Sequence, residues 1–457
     1  MLKLYNSLTN SKQDFKPIST SRVSIYSCGP TVYDRVHIGN IRSFLLPDLL
    51  QRVLRHTQNL DVEWVMNITD IDDKMIARSQ LAYPDETAVN ALGKLADKYT
   101  DMFLDDIEAV GIKRDDIAHL PRATDYIANM QEMIKHLLDN NIAYESDGSI
   151  YFSITKYQAT GQVYGRLVSL DFKSQARVTQ DQDQKDGVAD FVLWKAQKAN
   201  EPYWDFELDG KSLPGRPGWH IECSAMSNKF FGKLFDIHTG GVDLKFPHHE
   251  NELAQCEGEQ ANFYLHNEHV SIASEKMSKS IGNIKTIDDV NDPMALRYLM
   301  MSGHYRSQMD FNLADLKSAH ERILKLRTYT DQLMLARVGQ LPEKDSSSIV
   351  EQCRKQFIAA LEDDLNTPKA LAAISLIEGK VFSQDAKEVM RLADAVLGLN
   401  IVFDSPLHAD VLDLIDNYSQ ARHDKNFEQS DKLRAILLSD HGLVAADTET
   451  GTLVSRA

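Results

Sequence analysis

The spacing of apolar and polar positions changes period several times along the chain, and each change marks an element. Residues 22–28, RVSIYSC, are β-branched and aromatic and end at a Gly-Pro pair, which predicts a strand. The loop TVYDRVHIGN follows, and then IRSFLLPDLLQRVLRHT carries apolar residues at helical spacing. Pro47 lies inside that helix; lacking an N–H, it is expected to kink the helix or divide it in two. VEWVMNIT (62–69) followed by DIDDKMIARSQ repeats the plan of strand then helix. Such alternation predicts parallel βαβ units and an α/β fold with a doubly wound parallel sheet.

Leu92, Leu95, Tyr99, Phe103, Ile107 and Val110 recur every three or four residues, so 87–145 reads as helical. Thr124 or Asp125 is expected to cap a further helix that ends near Asn140 and Asn141. A short strand pattern at Ile150 to Ile154 precedes SQARVTQDQDQKDG (174–187), a linker by composition. Residues 115–200 therefore read as an insertion between two halves of a sheet domain. Sheet-like character returns from Trp219 through Phe235 and Ile237 to Ile272. From Leu313 the chain is helical, interrupted at 339–348 and 364–368. Residues 402–457 combine a helix, Ala421 to Leu438, with strand patterns near Leu443–Val444 and Leu453–Val454.

At 457 residues, with 43% hydrophobic and 26% charged residues, the chain is long enough for several cored domains and is not a disordered sequence. The formal charge of -17 argues against a protein that coats nucleic acid by bulk electrostatics. The average hides a gradient: residues 1–60 carry +5 and residues 301–360 carry +2, so anionic ligands are expected on those segments. No apolar run reaches the ~18–20 residues of a membrane span, and MLKLYNSLTNSKQDF has no signal-peptide core. The expectation is a cytoplasmic protein without membrane contact. Cys28, Cys223, Cys256 and Cys353 are too few and scattered for a disulfide framework, so they read as free thiols or metal ligands.

Three groups of residues carry candidate chemistry. His37-Ile38-Gly39-Asn40 lies where a loop enters a helix, a place where backbone N–H groups favour phosphate and where Gly39 allows close approach. By itself such a motif is most often a surface histidine beside a turn. Lys276-Met277-Ser278-Lys279-Ser280 is a second, basic and serine-rich loop. In PHHENE, His248 and Glu252 stand at i,i+4 on one helical face, suited to a shared metal ion, and His249 competes at i+3. Cys28 and Cys223 are the natural thiolate partners, although spacing does not force that choice. Cys256, four residues after Glu252, is a weaker candidate, and Cys353 reads as a buried thiol. The carboxylates of Asp70, Asp72 and Asp73 read as partners of a helix N-terminus rather than a cation site.

His37–Asn40 and Lys276–Ser280, in this order, resemble the two signatures of class I aminoacyl-tRNA synthetases. CGPTVYD (28–34), NITDIDD (67–73), GWHIECS (218–224), FPHHENE (246–252), SGHYRSQ (302–308) and RHDKNF (422–427) together resemble the cysteinyl-tRNA synthetase family. The resemblance implies a zinc ion, one per chain, on Cys28, Cys223, His248 and Glu252. It implies ATP-phosphate contacts from His37, Gly39 and Asn40, and pyrophosphate neutralisation by Lys276 and Lys279. Position 40 is Asn where the motif has a second His; an amide donates a hydrogen bond but is neither cation nor acid. Thr69, Trp219 and Asp243 would lie near the amino-acid pocket, Asp243 facing an ammonium; the plainer alternatives are core packing for Trp219 and a loop cap for Asp243.

The implied activity is cysteine activation by ATP, accompanied by Mg2+, and transfer to the 3′-terminal adenosine of a cysteine tRNA, by a monomer. A cysteine ligase acting on an amino-sugar acceptor is the alternative. Zinc would separate cysteine from serine through thiolate binding, so no editing domain is needed. The implied organisation is a Rossmann-like catalytic domain in two halves (1–114 and 201–270) around the insertion (115–200). A stem-contact region (271–312), a helical bundle (313–401) and an anticodon-binding module (402–457) follow. Lys317, Arg322, Lys325 and Arg327 are candidate contacts to the tRNA backbone, and Phe427 a candidate for stacking on an unpaired base.

Overall fold

A computed structural model describes residues 1–168, 190–272, 275–277, 284–335, 347–403, 407–448 and 451–456. The chain divides into two compact units, the first comprising Met1–Val290 with Tyr305–Asp310. It opens on an antiparallel pair, β1 (Lys3–Asn6) and β2 (Ser11–Asp14). The β-branched run forms β3 (Arg22–Ser27), and α1 (Ile38–Gln58) returns the chain to β4 (Asp61–Met66), parallel to β3. Next come α2 (Asp73–Ala82), α3 (Ala88–Ala109) and α4 (Ile127–Asp139).

A second sheet, antiparallel, follows. It is built from β5 (Ala143–Ser146), β6 (Ser149–Phe152), β7 (Phe191–Ala196) and, after the small hairpin β8 (Glu207–Leu208) and β9 (Lys211–Ser212), β10 (Gly215–Pro217). Between β6 and β7 lies α5 (Ile154–Ala159). Phe152 stacks on Phe191 at 4.8 Å to form part of its core. The chain then re-enters the first sheet through α6 (Trp219–Phe231), β11 (Phe235–Gly241), α7 (Glu250–Gln255) and β12 (Ala261–Asn267).

The principal sheet is parallel throughout, in the order β12-β11-β3-β4. Ile25 of β3 sits in register with Trp64 on one side and Ile237 on the other, and all three are fully buried. Every residue of β11 is buried, as expected of a central strand covered on both faces. A short three-stranded sheet of β13 (Val270–Ile272), β14 (Glu275–Lys276) and β15 (Met309–Asp310) completes the unit.

The second unit, Asn291–His304 with Phe311–Ala457, is helical and ends in a hairpin. Its helices are α8 (Pro293–Ser302), α9 (Leu313–Leu335), α10 (Ser347–Glu362), α11 (Thr367–Ile374), α12 (Gln384–Leu397), α13 (Ala409–His423) and α14 (Phe427–His441). The hairpin β16 (Leu443–Thr448) and β17 (Gly451–Arg456) packs with α13 and α14 on a small core of Val411, Ile415, Tyr418, Leu437 and Val454.

Four local expectations are corrected. α1 runs unbroken through Pro47 and starts at Ile38, three residues before the apolar pattern, because His37 and Asn40 cap it. Trp219 begins a helix, not a strand, because it follows the extended Gly218 that caps α6. Neither Thr124 nor Asp125 caps α4: Ala123–Tyr126 form a 3-10 turn and Tyr126 precedes the helix. The expected helix from Ala421 to Leu438 is two helices, separated where Lys425 takes a left-handed conformation at φ 57°. The break at 364–368 is as expected, with Asp364 and Leu365 left-handed and Asn366 capping α11. The linker 174–187 and most of 339–348 lie outside the described residues.

Asp236, buried in β11, ties strands distant in sequence. Its carboxylate accepts from the Ile18 N–H (2.6 Å), the Ser24 N–H (2.8 Å) and the Ser24 hydroxyl (2.7 Å). Asp236→Ala strands these donors and is expected to lower the unfolding free energy by about 2 kcal/mol, read from urea denaturation.

Candidate active site and metal centre

β3 and β11 are neighbours, yet the chain leaves them in opposite directions, β3 towards β4 and β11 towards β12. A reversal of this kind opens a crevice at the carboxyl ends of the strands. Cys28 follows β3 directly, Thr69 lies just after β4 and Asp243 just after β11. These three line one cleft of about 360 Å³ together with His37, Asn40, Trp219, Cys223 and His248. Eight singled-out residues, seven of them from five separate motifs, thus meet in one place.

At the floor of the cleft, donor atoms of Cys28, Cys223, His248 and Glu252 lie within 4.8 Å of one another, and all four residues are buried. The two sulfurs are 3.9 Å apart, and His248 Nε2 is 3.1 Å from Glu252 Oε1. Two sulfurs at ~2.3 Å from a tetrahedral ion would stand about 3.8 Å apart, so the donor set fits a zinc-sized ion. A second grouping exchanges Cys223 and His248 for His238 and His249. There, however, His238 is engaged through both ring nitrogens, with the Tyr26 carbonyl (3.2 Å) and Glu252 Oε2 (3.0 Å). His249 Nδ1 is held by His266 Nε2 at 2.9 Å. Of these donors, Cys28, Cys223 and His248 face the cleft. Cys256 belongs to neither grouping, and Cys353 is a buried thiol raised to about 11 by burial.

The electrostatics of this floor follow from dryness. Burial pushes the Cys28 thiol well above its ordinary value, reinforced by Cys223 and Glu252. For Cys223 the hydrogen bond with Cys28 acts downward, but burial and the carboxylates of Glu252 and Glu222 outweigh it and the thiol is raised. Burial likewise holds the imidazoles of His248 and His249 well below their ordinary value, hence neutral. Neutral imidazoles are ready to ligate, and only a cation reverses the cost of the thiolates.

The opposite end of the cleft is the start of α1. His37 Nδ1 accepts from the Asn40 N–H, and Asn40 Oδ1 accepts from the His37 N–H, each at 3.2 Å. The reciprocal cap uses the amide oxygen of Asn40 and leaves its NH2 for a ligand. Gly39 is required by packing as well as by access: a Cβ there would stand 2.9 Å from His37 Nδ1 and 3.2 Å from Met277 Cε. Met277, at the centre of the second signature, is therefore packed against the first. The Ile38 N–H also donates to the Lys285 carbonyl at 2.8 Å. Lys279 and the side chain of Lys276 lie outside the described residues.

Trp219 is 41% exposed and stacks on His248 with centroids 4.2 Å apart, so it forms a wall of the cleft and is not a core residue. Asp72 caps α2, accepting from the Met75 N–H, while Asp70 binds Thr124 and Asp73 pairs with Lys195 and Arg216. These three carboxylates thus serve local structure. In the second unit, Arg322 pairs with Glu378 and Arg327 donates to the Asn400 carbonyl, leaving Lys317 and Lys325 as the exposed cations of that stretch. Phe427 is 56% exposed, with the Arg422 guanidinium 5.3 Å over its ring.

Several participants are invisible to spacing arguments. His238 and Gln260 hold Glu252 Oε2, each at 3.0 Å, and His220 holds His248 at 2.9 Å. Asn67 Oδ1 accepts from the Gly29 N–H, where a Cβ would collide with the Asn67 carbonyl at 1.7 Å. Burial, with Asp70 and Asp72, keeps the Glu222 carboxyl well above the usual range, outweighing a hydrogen bond from Thr69. Asn67, His220 and Glu222 lie within the quoted motifs; His238 and Gln260 carry no sequence signal.

Comparison with known proteins places this geometry. Residues 14–321 match the catalytic domain of class I (C) tRNA synthetases. The fold is shared with the Mycobacterium tuberculosis methionyl-tRNA synthetase in complex with methionyl-adenylate (TM-score 0.56, 13% identity, 90% of this chain and 96% of that one). It is shared also with the Agrobacterium radiobacter LeuRS of a tRNA complex (TM-score 0.57, 10% identity, 84% of each). The fold and the matched domain are those of a class I tRNA synthetase. Over its length the chain is 38% identical to the cysteine-tRNA ligases of Brachyspira hyodysenteriae (98% of each chain) and Clostridioides difficile (98% and 99%). It belongs to the cysteine-tRNA ligase family.

His266 anchors the histidine row, its Nδ1 meeting the Ser7 hydroxyl at 2.8 Å. Burial, with Lys245 and His238, pushes it down to about 3. A folded-state value below the unfolded ~6.5 means that the unfolded chain takes up the proton first, so stability rises with pH between those values. The stability advantage over His266→Gln is therefore expected to shrink as pH falls from 7 to 4, by up to about 1.4 kcal/mol per unit, in thermal melts across that range.

Proposed function

We propose that the chain activates L-cysteine with ATP to cysteinyl-adenylate and pyrophosphate, then transfers cysteine to the 3′-terminal adenosine of the cysteine tRNA. The observation that carries this reading is a single cleft with a soft donor set at one end and a capped helix N-terminus at the other. Attack of the substrate carboxylate on the α-phosphorus builds negative charge on the nonbridging oxygens and on the departing pyrophosphate. His37, the Asn40 NH2 and the N-terminus of α1 meet that charge, and Lys276 and Lys279 are assigned to the pyrophosphate. Because Asn40 gives its oxygen to the cap, its role is hydrogen-bond donation to phosphate, with no proton transfer. Mg2+ enters with ATP.

Cys28, Cys223, His248 and Glu252 would hold zinc. When bound, zinc supplies a borderline-soft centre that favours a substrate thiolate over a serine hydroxyl. Asp243 is suited to the substrate ammonium, while Thr69 and Trp219 wall the amino-acid pocket. We take the chain to act as a cytoplasmic monomer; among the described residues no helix is long and apolar enough to cross a membrane. The alternative of cysteine ligation to an amino sugar is disfavoured by residues 402–457, which build a cored terminal module with no use in that reaction.

The decisive measurement is cysteine-dependent ATP–pyrophosphate exchange followed by charging of unmodified tRNA transcripts. Both are expected; absence of exchange removes both enzyme readings, and exchange without charging selects the amino-sugar reaction. Cys223→Ser is expected to lower zinc content and raise the KM for cysteine by at least about tenfold, in line with the cost of losing a tuned metal ligand. Unchanged zinc by elemental analysis removes Cys223 from the centre.

A further inference from the structure

A second cavity, of about 590 Å³, shares its helices with the metal donors but is not used by the reaction described above. α4, α6 and the end of α7 enclose it. α6 carries Cys223 and α7 carries Glu252; the same two segments line this cavity with Ala225 and with Gln255 and Cys256, all three buried. Met133 of α4 adds a half-buried apolar wall. Gln255 is only 2% exposed; its Oε1 accepts from the Ser224 hydroxyl at 2.5 Å, while its Nε2 has no hydrogen-bond partner among the described residues. A buried amide N–H left unmet is costly unless something in the cavity accepts from it. The charges around the mouth are mixed. His136 meets Glu257 at 3.0 Å and Lys233 meets Glu259 at 2.8 Å. Lys229 of α6 and Glu132 of α4, which also line the cavity, have no ion pair among the described residues.

We infer that this cavity binds a zwitterionic α-amino acid with an apolar side chain, and that the bound molecule tightens the metal-donor end of the cleft. The recess has the size and the few convergent polar groups of a small-molecule site. Lys229 and Glu132 oppose one another in sign, so a simple anion or cation would suit one and offend the other, whereas a ligand bearing both charges suits both. The carboxylate takes the Gln255 NH2 and Lys229, the ammonium takes Glu132, and the side chain packs on Met133, Ala225 and the soft thiol of Cys256. The link to the cleft is Ser224, which follows Cys223 in α6 and donates to Gln255, three residues after Glu252 in α7. A ligand that fixes Gln255 holds α6 against α7, and with them the spacing of Cys223 from Glu252. The effect on cysteine rests on the activation reaction proposed above; the binding itself does not.

The test is calorimetric titration of the full chain with L-methionine, alongside N-acetyl-L-methionine and L-methioninamide, each of which lacks one charge. L-Methionine is expected to bind, and both blocked forms to bind at least about tenfold more weakly, having lost one charge-assisted contact. Lys229→Ala and Glu132→Gln, at exposed positions outside the cleft, are expected to weaken L-methionine binding by about tenfold. Their cysteine-dependent pyrophosphate exchange without methionine is expected to stay within about twofold of the parent, and matching thermal midpoints guard against misfolding. In the parent, saturating L-methionine is expected to lower the KM for cysteine about fivefold, whereas competition at the cleft would raise it. The inference is overturned if L-methionine does not bind, if the blocked forms bind as well, if either variant binds as tightly as the parent, or if the KM is unchanged or raised. A parent without exchange removes the activation reading; loss of L-methionine binding in the two variants then still supports the cavity as the site, and its retention overturns it.

Discussion

A carboxylate without access to water has to be met by donors or by a cation, and Glu252 has no exposed surface at all. His238 and Gln260 satisfy one of its oxygens. The other oxygen faces His248 and Cys28 and is left for whatever binds there. The arrangement fixes much around it: β11 must carry His238 inward, the turn before α7 must bring His248 round, and β3 must end where Cys28 can approach. Burial holds the imidazoles of His248, His249 and His266 below their ordinary value beside these donors. A cation held by these donors would answer that buried carboxyl group, and the strands β3 and β11 are the scaffold that presents them.

The second constraint is that the start of α1 and the donors Cys28, Cys223 and His248 share one crevice. The capped start of α1 presents amides to the cleft, while the sulfurs lie below the end of the neighbouring strand. Nothing in a net charge of -17 predicts an anion site here, because an oriented helix terminus and a few well-placed side chains act over short distances. Net charge describes the protein at a distance, where it discourages indiscriminate attachment to RNA. The same logic holds at Phe427, where recognition of a base would depend on an exposed ring with an arginine over it.

Much of this was legible in the sequence, and the pattern of what was not is informative. The strands around Ile25 and Trp64 announced themselves by β-branched runs, and the four donors by motifs. Capping chemistry was harder to see: His37 and Asn40 look like loop residues until their reciprocal bonds place them at the start of a helix. Pro47 looked like a break, but an otherwise well-packed, buried helix tolerates the lost bond. Trp219 was ambiguous because an aromatic is equally at home in a strand and at a helix start. His238 and Gln260 were beyond reach, since a residue that only orients another leaves no periodic trace. His249 could be separated from His248 only by seeing which ring faces the cleft.

The order of strands in the principal sheet also governs how the protein is made. β3 ends at Ser27, yet one of its two neighbours, β11, lies about two hundred residues further on, and Asp236 bonds Ser24 across 212 positions. The first strand pair waits longer still, since Asn6 docks on Tyr264 and Asn262 of β12. Until Gly241 has left the ribosome, β3 and β4 are a two-stranded fragment with one hydrophobic edge unpaired. Contacts of such long range close slowly and leave strand edges exposed meanwhile. The catalytic cleft is thus a late product of translation, and the growing chain carries its cysteines and half its sheet unprotected for most of the time it takes to build them.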